Sequence, residues 1–223
     1  MDTSPNWNPK AILFDLDGTL INTDDVAVRH LAQKLEPILG DKALVAARKM
    51  WMAAETPGNA FITFLDWLGL DDELFAIKKS LSQWHNPDVE PTFELMEGVK
   101  PMLHALSQKF VLGIVTTRGT YVIEQFLRQN PDLVDLFAVT VGADSTDRLK
   151  PHPDPILLAA RELGLLPKQC VMVGDTPVDM KSAKRAGAWR VGVLCGFGEA
   201  HELHRAGANM ILECTAETPD LFL

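Results

Sequence analysis

The chain has 223 residues, enough for one full domain with its own core or for one domain carrying a smaller insert. Apolar residues make up 47% and charged residues 23%, an ordinary balance for a soluble globular protein. The formal charge of −9, with no basic block to offset it, argues against a nucleic-acid partner but leaves a small anionic substrate open, because a metal and one lysine can reverse the local field.

Cys170, Cys195 and Cys214 are odd in number and lack C-x-x-C spacing, which is the pattern of free thiols in a reducing compartment. Residues 1–10 show no basic segment leading into an apolar core, so no signal peptide is expected. No apolar run approaches the roughly 18–20 residues that span a bilayer. A cytoplasmic protein with no membrane partner is the expectation.

In chain order, the run at 11–15 is short and apolar, suited to a buried strand, and it is followed by Asp15-Leu16-Asp17-Gly18-Thr19. Two carboxylates two residues apart thus arrive at a strand's C-terminal end, where Gly18 lets the backbone turn sharply. Taken alone, the pair suggests a cation site, but a turn with two solvated acids is the simpler reading. Residues 22–96 contain no convincing strand, yet show helical apolar spacing at Val26/Leu31/Leu35/Ile38 and at Phe61/Phe64/Leu65/Leu68. That length is too great for a plain crossover loop and predicts an inserted all-helical subdomain over 22–96, with hinges near 20–25 and 86–98. The remaining core, 1–21 and 97–223, alternates strand runs at 110–116, 137–142, 170–174, 190–194 and 209–212 with helical patterns at 101–109, 122–129, 155–163 and 178–186. Such alternation predicts an α/β fold, a Rossmann-like doubly wound sheet that is mainly parallel.

In open sheets of this kind ligands bind beyond the carboxyl ends of the strands. The first strand ends in Asp15 and Asp17, the second in Thr116-Thr117-Arg118, the third leads to Lys150-Pro151, and the fourth ends in Gly174-Asp175-Thr176-Pro177-Val178-Asp179. Each cluster has a structural reading by itself: a strand-end threonine, a solvent-facing lysine, an Asp175 acting as helix N-cap ahead of Pro177. Acids from two strands, a hydroxyl and a lysine at one sheet edge together make a metal-assisted phosphoryl-transfer site.

Those four segments, in order and at suitable spacing across nearly the whole chain, resemble the haloacid dehalogenase-type hydrolases of the phosphatase branch, phosphoglycolate phosphatases among them. The insert resembles the family's C1 cap. Thr117 stands where relatives often carry asparagine. The resemblance implies that Asp15 is the nucleophile forming an aspartyl-phosphate, and that Asp17 is the general acid and then base, lending its backbone carbonyl to Mg²⁺. It further implies that Asp15 and Asp175 bind the ion and that Thr116, Thr117, Lys150 and Gly18 hold the phosphoryl group. Asp179 stands four residues after Asp175, on the same helix face if the helix begins there, and reads as a support for Lys150 or a metal-bound water. The expected substrate is a small phosphate ester, and the cap would close over it as a lid.

A sugar-phosphate mutase of the β-phosphoglucomutase kind shares these motifs, and a phospho-aspartate signalling module shares the clustered acids. Arg29, Arg48, Lys49 and Arg118 could reach a second anionic group of a substrate, although a surface charge is the simpler reading of each. Trp51, Phe61, Phe64 and Trp67 read as the insert's own core. His201 and His204 are three apart rather than four, which fits a helix surface and not a zinc helix; Gly196-Phe197-Gly198 lacks the third glycine of a dinucleotide fingerprint and reads as a loop at the site's rim.

Overall fold

Six short strands, all parallel, form a single sheet in the order β3-β2-β1-β4-β5-β6. The computed structural model describes residues 7–22, 32–37, 39–40, 43, 46–47 and 92–223. The elements are β1 (Ala11–Phe14), α1 (Val99–Ser107), β2 (Val111–Val115), α2 (Thr120–Gln129), β3 (Phe137–Val141), α3 (Asp154–Glu162), β4 (Cys170–Gly174), α4 (Pro177–Ala186), β5 (Trp189–Val193), α5 (Ala200–Ala206), β6 (Met210–Leu212) and α6 (Pro219–Phe222). Every predicted strand is present; the run at 170–174 matches β4 residue for residue, and the others are trimmed or shifted by one residue at one end or both. The turn residues take over where the apolar run ends, so β1 stops at Phe14 and Asp15 lies just beyond it.

Strand side chains alternate between faces, and the core divides accordingly. Ile12 and Phe14 of β1 join Val171 and Val173 of β4 on one face, covered by Leu103 of α1 and Phe126 of α2. Ala11 and Leu13 join Cys170 and Met172 on the other, covered by Ile156 of α3 and Ala183 of α4. The chain winds from β1 outward to β3, then returns past β1 to β4 and continues to β6. With right-handed crossovers, that reversal sends α1 and α2 to one face and α3 and α4 to the other. It also leaves a crevice between the carboxyl ends of β1 and β4, where the loops diverge.

Most of the predicted insert lies outside the described residues, including Arg29, Arg48, Lys49, Trp51, Phe61, Phe64 and Trp67. Residues 32–37 are helical, and Ala32 and Leu35 pack with buried Ala47 against Phe197. Where the chain leaves β1 and where it returns, the two segments pair: Asn22 donates its N–H to the Glu94 carbonyl at 2.9 Å, and Met96 donates to Leu20 at 3.0 Å. Cys170, Cys195 and Cys214 are free thiols. No described helix is long and apolar enough to cross a membrane.

Phe126 is fully buried and meets Phe93 edge-on at 6.2 Å, tying α2 to the segment that returns to the core. Phe126→Ala is expected to cost about 3–5 kcal/mol of unfolding free energy, read as a lower denaturation midpoint at unchanged slope.

Candidate active site

Asp15 and Asp175 sit immediately beyond the two strands that flank the reversal point. The Asp15 N–H still donates to the Val173 carbonyl at 2.9 Å, so the β1–β4 ladder fixes the backbone from which its carboxylate projects. One Asp15 oxygen accepts from Lys150 Nζ at 2.8 Å; the other has no hydrogen-bond partner among the described residues.

Lys150 is 2% exposed and every ammonium proton is matched. Nζ donates to Asp15 Oδ1 at 2.8 Å, to the Val115 carbonyl at the end of β2 at 2.9 Å, and to Asp179 Oδ1 at 2.6 Å. The turn that delivers the lysine is held from α4, where Ser182 donates to the His152 carbonyl and Arg185 to the Pro151 carbonyl. Asp179 reaches Lys150, one of the two partners expected for it, but by another route than a shared helix face with Asp175. The helix begins only at Pro177; Thr176 is the N-cap, and Asp179 closes a capping box with it. Asp179 Oδ2 accepts from the Thr176 N–H at 3.1 Å and from its hydroxyl at 2.6 Å, leaving Oδ1 for the lysine. The strand end leaves no spare room here: a Cβ on Gly174 would lie 2.5 Å from Asp179 Cγ.

Asp175 is completely buried, with Thr19 Oγ1 donating to one oxygen at 3.2 Å and the Phe197 N–H to the other at 2.8 Å. Gly196-Phe197-Gly198 therefore does more than shape the rim: it cradles Asp175 by close backbone approach. A Cβ on Gly196 would fall 2.1 Å from Asp175 Oδ2, and one on Gly198 would fall 2.0 Å from the Asp175 carbonyl oxygen. Neither this cradle nor Thr19 was expected from sequence. The two glycines flanking one residue were the available signal for the cradle; the buried threonine gave none.

Asp17 is also buried, and Arg118 takes both its oxygens in a fork, Nε to Oδ2 at 2.8 Å and the terminal nitrogen to Oδ1 at 3.0 Å. Arg118 is thus part of this cluster and not a mere surface charge. Thr116 is buried beside it; its hydroxyl oxygen accepts from the Arg118 N–H at 3.2 Å, which leaves the hydroxyl proton to be donated elsewhere. Thr117 is half-buried in the same loop, and Gly18 turns the chain with a φ of 69°, donating its N–H to Ile21 at 3.0 Å. His201 and His204 lie exposed on α5, as expected.

Carboxylate oxygens from Asp15, Asp175 and Asp179 lie within 4.8 Å of one another. Hard oxygen donors at that spacing suit a small divalent cation, and the Asp15 oxygen without a partner and Asp175 could hold one, since Asp179 already accepts three bonds from Lys150 and Thr176. Without a cation the acids repel and are poorly solvated. Burial, only partly offset by Lys150, pushes the Asp15 carboxyl from 3.8 up to about 7, with Asp179 and Asp17 adding to the rise. Burial by itself would lower the Lys150 ammonium, but Asp15 and Asp179 outweigh it and hold the group above its ordinary value.

A carboxyl raised in the folded state binds a proton that the unfolded chain has already released. Its stabilising contribution is therefore complete below pH 3.8 and is lost as the pH rises through about 7. In chelator, the stability of the wild type should fall more steeply across this window than that of Asp15→Asn, by up to about 1 kcal/mol per pH unit, measured by denaturant titration at several pH values.

The sequence model of the haloacid dehalogenase-like hydrolases matches residues 12–193. Phosphoglycolate phosphatase of Escherichia coli (strain K12) is 29% identical over 218 residues, covering 87% of this chain and 85% of the relative. Among solved structures, a haloacid dehalogenase-like family hydrolase from Streptococcus pneumoniae shares the fold with a TM-score of 0.71 at 24% identity, over 97% of this chain and 99% of its own. A predicted phosphoglycolate phosphatase from Haemophilus somnus 129pt shares it with a TM-score of 0.68 at 24% identity, over 98% and 100%. With a doubly wound sheet, four acids and a buried lysine at its switch point, and a family match that spans most of its length, the chain belongs to the haloacid dehalogenase-like hydrolases.

Proposed function

We propose that the protein is a Mg²⁺-dependent phosphatase that hydrolyses a small phosphorylated metabolite, a phosphoglycolate-like phosphomonoester, through an aspartyl-phosphate on Asp15. The observation that carries this reading is the asymmetry of Asp15. One oxygen is pinned by a buried lysine at 2.8 Å, the other has no protein partner among the described residues, and a second carboxylate stands two residues away. The 29% identity to a phosphoglycolate phosphatase supports the substrate class.

In the first half-reaction an Asp15 oxygen attacks phosphorus, the ester P–O bond breaks, and Asp17 gives its proton to the departing oxygen. In the second, Asp17 takes a proton from water as the water oxygen attacks phosphorus; the bond to Asp15 breaks, and inorganic phosphate leaves. Thr116 donates its hydroxyl proton to a phosphoryl oxygen, and Thr117 offers a backbone N–H near it; Gly18, whose own N–H is taken by the Ile21 carbonyl, shapes the turn beside them. Lys150 offsets the charge that gathers on Asp15 and the phosphoryl group, already oriented by its three acceptors. Mg²⁺, held by Asp15, Asp175 and the Asp17 backbone carbonyl, would neutralise the repulsion between carboxylate and phosphate. The insert over 22–96 acts as the cap that excludes water and selects the ester.

Phosphate release across a panel of phosphorylated metabolites, with Mg²⁺ and with chelator, tests this. Phosphoglycolate or a close analogue should be turned over only with the metal. Asp15→Asn should lower turnover by on the order of 10⁴-fold or more while far-UV circular dichroism stays unchanged. Full turnover by that variant, or substrate consumption without free phosphate, would sink the proposal.

A further inference from the structure

We infer that Arg118 is the positioning residue for Asp17, and that the loop after β3 sets Arg118 in place. This rests on the phosphatase reading, in which Asp17 moves the proton.

The guanidinium fork meets both Asp17 oxygens, at 2.8 and 3.0 Å, and so fixes the plane of the carboxylate as well as its location. Lys150 plays no part in holding Asp17, because its three protons go to Asp15, Val115 and Asp179. Nucleophile and proton carrier are therefore oriented by different cations on different loops. A carboxylate oxygen carries two lone pairs, so a fork that takes one bond from each oxygen orients the group without using up its capacity to exchange a proton.

Arg118 is in turn over-determined from its backbone. Its N–H donates to Thr116 Oγ1 at 3.2 Å, and its carbonyl accepts from the Ala143 N–H at 2.7 Å. Two residues on, at the start of α2, the N–H and hydroxyl of Thr120 both donate to Asp144 Oδ1, at 2.8 and 2.5 Å. Those bonds hold the Asp144 carboxyl below its ordinary range. Gly142 lets the two loops touch, because a Cβ there would stand 2.7 Å from the Thr120 nitrogen and 3.0 Å from the Arg118 carbonyl oxygen. The order of support runs from the 142–145 loop to the 116–120 loop, then through Arg118 to Asp17. The Arg118 side chain is 38% exposed, so its replacement opens no cavity in the apolar core and acts on the buried Asp17 that it leaves without a fork.

A positioned general acid matters most when the leaving group is a poor one. Phenyl phosphate and p-nitrophenyl phosphate have nearly the same shape, but phenolate needs a proton on departure far more than nitrophenolate does. Turnover of both, and of phosphoglycolate, is measured with Mg²⁺ for the wild type, Arg118→Ala, Arg118→Lys and Asp144→Asn, with Asp17→Asn marking complete loss of the acid. Arg118→Ala should lower kcat on phenyl phosphate about 10- to 100-fold more than on p-nitrophenyl phosphate, within the range a general acid contributes. Arg118→Lys, which keeps the charge but not the fork, and Asp144→Asn, which loosens the loop, should shift the ratio the same way by less. Equal losses on the two aryl esters, or a higher KM for phosphoglycolate with the ratio unmoved, would overturn the inference and make Arg118 a structural or substrate-binding group. A wild type that releases no phosphate from any of the three esters would overturn the phosphatase reading and this one with it, whereas release with an unmoved ratio overturns this one alone.

Discussion

The ammonium of Lys150 is the point through which the site is assembled. At 2% exposure a charge is tolerable only if every proton finds an acceptor, and the three it finds belong to the end of β1, the end of β2 and the first turn of α4. A buried ion cluster of this kind adds little net stability, since desolvation consumes much of the Coulomb gain; what it supplies is a single allowed arrangement. The three acids nearest the reversal point also need a cation to coexist, and the lysine compensates only part of their charge. In the proposed phosphatase, the remainder is what would draw a divalent ion and a phosphoryl group into the same crevice.

Supports around that point divide into two arms. On one, the Thr176–Asp179 capping box turns a helix start into a fixed acceptor for Lys150, while Gly196 and Gly198 press a backbone against Asp175. The other joins the loops after β2 and β3 and ends in the Arg118 fork on Asp17. Residues from the 22–96 stretch touch the first arm, because Ala47 packs on Phe197, whose N–H holds Asp175. Glycines at these contacts are there for closeness of approach; at Gly174 even a methyl group would displace Asp179.

Much of this is legible in the residues alone. The strand runs are apolar on both faces because helices cover both, and a sheet of that kind places its ligand at the carboxyl ends, so Asp15, Thr116, Lys150 and Asp175 can be picked out from position. Asp179 shares a helix face with Asp175 only if the helix starts at Asp175; the S/T-x-x-D capping pattern, which starts it at Pro177, is the better signal for where Asp179 lies. Arg118 read as a surface charge because a lone arginine in a loop has no periodicity to say which way it turns. The Asp175 cradle is hard to read for a related reason: Gly196 and Gly198 announce a close approach of backbone, but not which group is approached.

Alternation of strand and helix, the parallel sheet and the set of polar residues at its edge all follow from residue pattern, because periods of two and 3.6, with glycine and proline at turns, are local properties of the chain. The pairings among those polar residues are not local, and they came from the three-dimensional fold. Lys150 meets Asp15 across 135 residues and Arg118 meets Asp17 across 101, and such contacts depend on how the strands order themselves and where each loop is pinned. Asp15-Leu16-Asp17 delivers two carboxylates two residues apart, and it is the fold that gives one to a buried lysine and the other to a half-exposed arginine.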